Sequence, residues 1–246
     1  MKRSFFSTAA LAFVLVLALA AGASGLDHFQ VYRVKTVAVS FDVKLTDQFD
    51  PAAKKGHLAA ITQFANPSRK VHGQTQIGIE NTNAHLTGYV LKQPQPEPIR
   101  TVRFRNQFGQ HSVDIREPRF LLVPTQKTSH AGSEFPKTLD HYKCYKVIKV
   151  NTAPPLPVVK LGDQFGSRSG QVGKPVFFCN PVQKQRKDEK PPDLFDKKTH
   201  LAIYPLPVLP KAVNIKTRDQ FGKRELNVQS SVMLAVPTEK QVFVPH

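Results

Sequence analysis

Apolar and basic positions alternate along four stretches of this chain. Phe41, Val43 and Leu45 fall in phase, as do Val102 and Phe104, Val159 and Leu161, and Val213 and Ile215. A period of two predicts half-buried strands. The other phase carries Lys44, Arg103, Arg105, Lys160 and Lys216. Each strand therefore has one apolar and one basic face, as in an antiparallel sheet with one wet side. After each stretch come a Gln-Phe pair and, in two cases, a short alternating segment, Val113/Ile115 and Leu226/Val228. A denser apolar run follows, at 120–123, 176–179 and 232–236, with the composition of a strand covered on both faces. Prolines gather between these segments, at 94, 96 and 98, at 154, 155 and 157, and at 205, 207 and 210. Helix interiors do not accept them. The chain reads as all-β, with no helix.

The same pattern is written four times. Asp47-Gln48-Phe49-Asp50, Asn106-Gln107-Phe108-Gly109, Asp163-Gln164-Phe165-Gly166 and Asp219-Gln220-Phe221-Gly222 recur every 56 to 59 residues. A His precedes a Tyr by four residues in each copy: His28/Tyr32, His85/Tyr89, His141/Tyr145 and His200/Tyr204. Each copy closes on Pro-x-x-Lys, at Pro67/Lys70, Pro124/Lys127, Pro181/Lys184 and Pro237/Lys240. Such self-similarity fixes the architecture before other arguments. Leu26-Asp27-His28 returns as Leu139-Asp140-His141, 113 residues later, whereas the even copies open with Ala84-His85 and Thr199-His200. The duplicated unit is thus read as a pair. A pair gives about seven or eight short strands, which suits a β-sandwich or a small barrel. The expectation is two tandem domains, at 26–127 and 139–246, joined by a linker at 128–138. The charged, Pro-bearing segment 183–198 reads as an exposed loop.

Lys2 and Arg3, the apolar run 9–21 and the small residues Ala21, Ala23 and Gly25 have the order of a secretory signal peptide over 1–25. The apolar run is short for a membrane span, which needs roughly 20 apolar residues. The mature protein is expected to be secreted or periplasmic, with no transmembrane span. Cys144 and Cys179 are the only cysteines. An even count in an exported chain suggests a disulfide. Aligning the copies puts Val31/Ala65, Gly88/Leu122 and Ile203/Ala235 where Cys144/Cys179 stand, as touching core positions would. A bridge closing that loop would contribute about 4 kcal/mol in the chain-entropy picture. Two free buried thiols are the alternative.

Candidate chemistry is sparse. One His per copy has no metal-ligand spacing, and the His/Tyr pair reads as a strand-to-strand contact. Gln-Phe reads as a turn with an aromatic plug, where Asp or Asn bonds local backbone. The closing Lys reads as solvated. No catalytic motif, metal site or cofactor signature is present, and sequence-specific nucleic-acid binding has no fold signature. The formal charge of +17 remains. A basic exported protein attracts polyanions such as acidic polysaccharide or lipopolysaccharide, and Lys44, Arg103, Arg105, Lys160 and Lys216 are the candidate contacts.

Leu139-Asp140-His141-Tyr142-Lys143-Cys144-Tyr145, then Asp163-Gln164-Phe165-Gly166, then Phe178-Cys179-Asn180-Pro181 through Lys184, resemble an uncharacterised repeat domain of bacterial exported proteins. The first copy departs from its pattern at Asp50, where Gly is expected. The resemblance implies the disulfide and the paired repeats, and nothing about catalysis. The sequence therefore points to a non-enzymatic exported binding or adhesive module. The alternatives are a structural domain contacting another exported protein, and a hydrolase with an unrecognised site.

Overall fold

The computed structural model describes residues 25–129, 132–185 and 191–245. The leader expected at 1–25 lies outside them except for Gly25. The first repeat forms β1 (His28–Thr46), β2 (Lys54–His72) and the short β3 (Thr75–Ile77). The second forms β4 (His85–Lys92), β5 (Arg100–Asn106) and β6 (Gly109–Lys127). The third forms β7 (His141–Thr152), β8 (Val158–Asp163), β9 (Gly166–Gln171) and β10 (Phe177–Gln185). The fourth forms β11 (Thr199–Asp219) and β12 (Gly222–Pro245). The chain is all-β. The predicted alternation holds: Val43, Leu45, Val102, Phe104, Val159, Leu161 and Ile215 are buried and Phe41 and Val213 half-buried, while Arg103, Arg105, Lys160 and Lys216 are exposed and Lys44 is half-exposed.

Several strands are longer than the short ones expected. β1 runs 19 residues, β11 21 and β12 24. The reason is that a barrel stave and a hairpin strand join through a corner. In β1 and β11 the corner is made by register shifts, at Arg33–Val37 and Ala38–Phe41 and at Pro205–Leu209 and Pro210–Val213. Such irregularities bend a strand without ending it. In the second and third repeats the proline clusters at 94–98 and 154–157 break the strand at the same place. Segment 183–198 is likewise not all loop, since β10 extends to Gln185.

The staves close into one antiparallel ring in the order β1, β2, β4, β6, β7, β10, β11, β12 and back to β1. The expected division into domains 26–127 and 139–246 is not confirmed by this pairing. The second repeat joins the third through β6–β7, and the fourth joins the first through β12–β1. One pair of repeats supplies only half the staves, and a half ring would leave two unpaired edges. An eight-stranded barrel is just wide enough for side chains to fill. Its filling is the residue set found by aligning the copies. Val31↔Ala65, Gly88↔Leu122, Cys144↔Cys179 and Ile203↔Ala235 are direct partners across neighbouring strands. With Phe29, Leu86, Tyr142 and Leu201 they make the interior cluster. Cys144 and Cys179 form the disulfide, with Cα atoms 3.9 Å apart.

Tyr32, Tyr89, Tyr145 and Tyr204 each follow an interior residue and so face away from the barrel axis, yet all are buried. Hairpins cover them. The end of each hairpin's first strand adds to the closing stave of the repeat two places away: Leu45↔Lys184, Phe104↔Lys240, Leu161↔Lys70 and Thr217↔Lys127. The hairpins of repeats 2 and 3 lie over one apolar cluster outside the barrel, and those of repeats 1 and 4 over a second on the other side.

Candidate functional site

The three recurring anchors meet at the joints between repeats. Each hairpin tip begins with an Asp or Asn whose side chain accepts a bond from the backbone N–H of the Phe two residues on, at 2.7–2.9 Å in all four copies. In copies 2 to 4 the following Gly closes the turn with φ of 111°, 131° and 122°, a region that Gly enters without steric cost. The tip then reaches across the barrel. The Tyr32 hydroxyl donates to Asp163 at 2.8 Å, Tyr89 to Asp219 at 2.5 Å and Tyr145 to Asp47 at 2.7 Å. At the fourth position the Asn106 amide donates to Tyr204 at 2.7 Å. The Phe rings meet the same tyrosines with centroids 5.1 to 5.2 Å apart.

The closing lysines correct the sequence reading. Lys70 is fully buried, Lys127 and Lys184 are buried and Lys240 is half-buried. Their ammonium groups lie 4.5, 5.2, 4.8 and 4.8 Å from the rings of Phe108, Phe165, Phe221 and Phe49, each from the next repeat. These are cation–π contacts. Lys127 and Lys240 also donate to the amide oxygens of Gln164 and Gln48. The His residues contact the following repeat too, rather than an adjacent strand: His28 meets Gln107, His141 meets Gln220 at 2.6 Å and His200 meets Gln48 at 3.4 Å. Burial, reinforced by Lys70, lowers His28 to about 3, and burial lowers His200 to about 4, so both are neutral. Lys70 has no hydrogen-bond partner among the described residues, and burial lowers it to about 7.

Above two of the joints the surface opens. A cavity of about 480 Å³ lies over His28 and Gln107, and one of about 270 Å³ over His141 and Gln220. These are the joints whose repeats open with Leu-Asp-His. Asp27 accepts bonds from the backbone N–H groups of Glu80 and Asn81 at 2.7 and 2.9 Å, and Asp140 from those of Phe195 and Asp196 at 3.0 and 2.8 Å. Each Asp pins the loop that enters the next repeat, and that loop forms a cavity wall, through Glu80 in one case and Phe195 in the other. The 113-residue periodicity marked these cavities in the sequence, but the pinned loop has no pattern of its own. The walls differ. The first cavity is charged, with Glu80, Arg105, Lys198 and Glu239. The second has charged groups too, Lys137 and Asp193, but adds an aromatic and Pro-lined wall, with Phe135, Leu194 and Phe195 beside Pro124, Pro136 and Pro192.

The five basic residues singled out in the sequence are not gathered in one stripe. Arg103 and Arg105 lie two apart on β5 and Lys160 on β8, on the wet faces of the hairpins over one outer cluster. Lys44 and Lys216 belong to the hairpins over the other. Arg105 alone of the five reaches the first cavity. Among the described residues no group of three His, Cys, Asp or Glu is placed to hold a metal ion, and no helix is long and apolar enough to cross a membrane.

A family model described as a repeat of unknown function, DUF7450, matches residues 85–237. The match covers more than half of the chain, which therefore belongs to that family. It spans repeats 2 to 4 and omits the first, whose hairpin tip carries Asp50. No curated protein and no solved structure matches the chain.

Proposed function

We propose that this member of the DUF7450 repeat family is an exported, non-enzymatic binding module that holds anionic polymers on its hairpin faces. The observation that carries the reading is where the charge resides. Six carboxylates (Asp27, Asp47, Asp50, Glu97, Asp140 and Asp219) and five cations (Lys70, Arg100, Lys127, Lys143 and Lys184) are buried among the described residues. The interior is thus near balance, and the excess of Lys and Arg over Asp and Glu among the described residues is borne by the surface. All four hairpins turn a cation outward. Acidic polysaccharide and lipopolysaccharide present the matching charge, and closely spaced cations attract such polymers through their summed field.

The test is retention of the chain from residue 26 onward on heparin resin across a salt gradient, beside a basic protein of equal size and charge. Elution well above that control is expected, with a clear drop when Lys44, Arg103, Lys160 and Lys216 are changed to Ala together. Co-elution with the control would remove the reading. Exposed Val242 and Val244, at the outer end of β12, favour a second reading, contact with another exported protein. That contact would survive high salt, since apolar burial is not screened.

A further inference from the structure

We propose that the larger cavity, between the first, second and fourth repeats, is a subsite for one acidic sugar unit of such a polymer. The inference rests on the binding-module reading and gives it a specific site. Five charged side chains of both signs line this cavity: Asp27, already bound to loop backbone, with Glu80, Arg105, Lys198 and Glu239. None of them makes an ion pair among the described residues. Opposite charges that share a cavity without pairing are free for a ligand. A sugar carboxylate suits Arg105 and Lys198, because charge-assisted bonds to carboxylates are the strong ones. Ring hydroxyls, which both donate and accept, suit the mixed carboxylates and amides around them.

The floor is polar. Gln107 spends its amide nitrogen on His28 Nε2. The neutral ring then carries its proton on Nδ1, and neither it nor the Gln107 Oε1 has a partner among the described residues. One donor and one acceptor are thus left unmet in two side chains that line the cavity. Both atoms are sealed from solvent, so a ligand hydroxyl reaches them only if the two side chains turn. At about 480 Å³ the cavity lies within the ordinary range for small-ligand sites. Its counterpart over His141, at about 270 Å³, is smaller and sets Phe135, Leu194 and Phe195 beside its own Lys137 and Asp193.

The test is titration of the ¹⁵N-labelled chain with trigalacturonate and, separately, with maltotriose. Saturable binding of trigalacturonate alone is expected. Arg105→Ala and Lys198→Ala should each weaken it about 10-fold, the usual worth of a charge-assisted bond, and Lys149→Ala, exposed on β7 and outside the cavity lining, should leave it unchanged. Equal binding of maltotriose, or equal weakening by Lys149→Ala, would overturn the subsite. Heparin retention without saturable trigalacturonate binding would overturn the subsite and leave the surface reading in place. Loss of both would remove both.

Discussion

The first and third repeats sit across the barrel from each other and solve the same problems by different chemistry. Where the third repeat joins its two staves with the Cys144–Cys179 bond, the first packs Val31 on Ala65 in the same register. Where the third hairpin turns on Gly166, the first turns on Asp50, whose carboxylate meets Arg100, Lys143 and Lys54 at 2.8–2.9 Å. Asp50 departs from the Gly of the other three copies, and the cost of burying it is offset by the ions it collects. Burial alone would raise its pKa, but the bonds from Lys54 and Lys143 hold it at about 2. A repeat interface tolerates either a covalent or an ionic fastening, provided each buried charge is answered.

The sharpest way to break this comparison is to remove the fastenings one side at a time. Cys144→Ala with Cys179→Ala should cost about 4 kcal/mol through the freed 35-residue loop, seen as a lower midpoint in guanidinium. The reverse graft, Val31→Cys with Ala65→Cys, should form a second bond, read by mass after thiol alkylation. Asp50→Asn should cost about 3 kcal/mol, because it leaves the fully buried Lys143 without its carboxylate. Gly166→Ala at the opposite tip, where φ is 131°, should cost only about 1 kcal/mol. If Asp50→Asn proves no worse than Gly166→Ala, the ionic fastening is ornamental. Tyr145→Phe, which removes the bonds to Asp47 and Asp50, should cost about 1–2 kcal/mol.

The smallest effect should fall on Lys70. Its folded pKa of about 7 lies below the unfolded value of 10.5, so the unfolded chain binds more protons between these values. Stability should rise with pH across that window, and Lys70→Met should flatten the rise while stabilising the chain by about 1 kcal/mol at pH 7. Asp50 acts in the opposite range. Its contribution is present above pH 4 and is lost as pH falls toward 2. Thermal melts at pH 2 to 10 check both.

The local part of this fold was legible. Alternation placed the hairpin strands, and aligning the copies found the four interior pairs, because cross-strand neighbours within a repeat keep a fixed spacing. The joints were not legible. Tyr32 bonds Asp163 and Lys70 covers Phe108, and a periodic sequence says nothing about which copy a copy touches. For the same reason Lys70 reads as a solvated strand end, since its cover comes from another repeat. The cavities were half legible: the Leu-Asp-His alternation distinguished odd joints from even ones, but what Asp27 and Asp140 hold is backbone.

The pairing of Phe29 with Ala235 ties residues near the two ends of the described chain. In the order of synthesis, the first stave is made early and waits for its neighbour until nearly the whole chain exists. Until then β1 and β10 each lack an edge partner, and the interior is open along one side. Completion is a single late event, and a chain stopped short of the fourth repeat should stay soluble only while something else covers those edges.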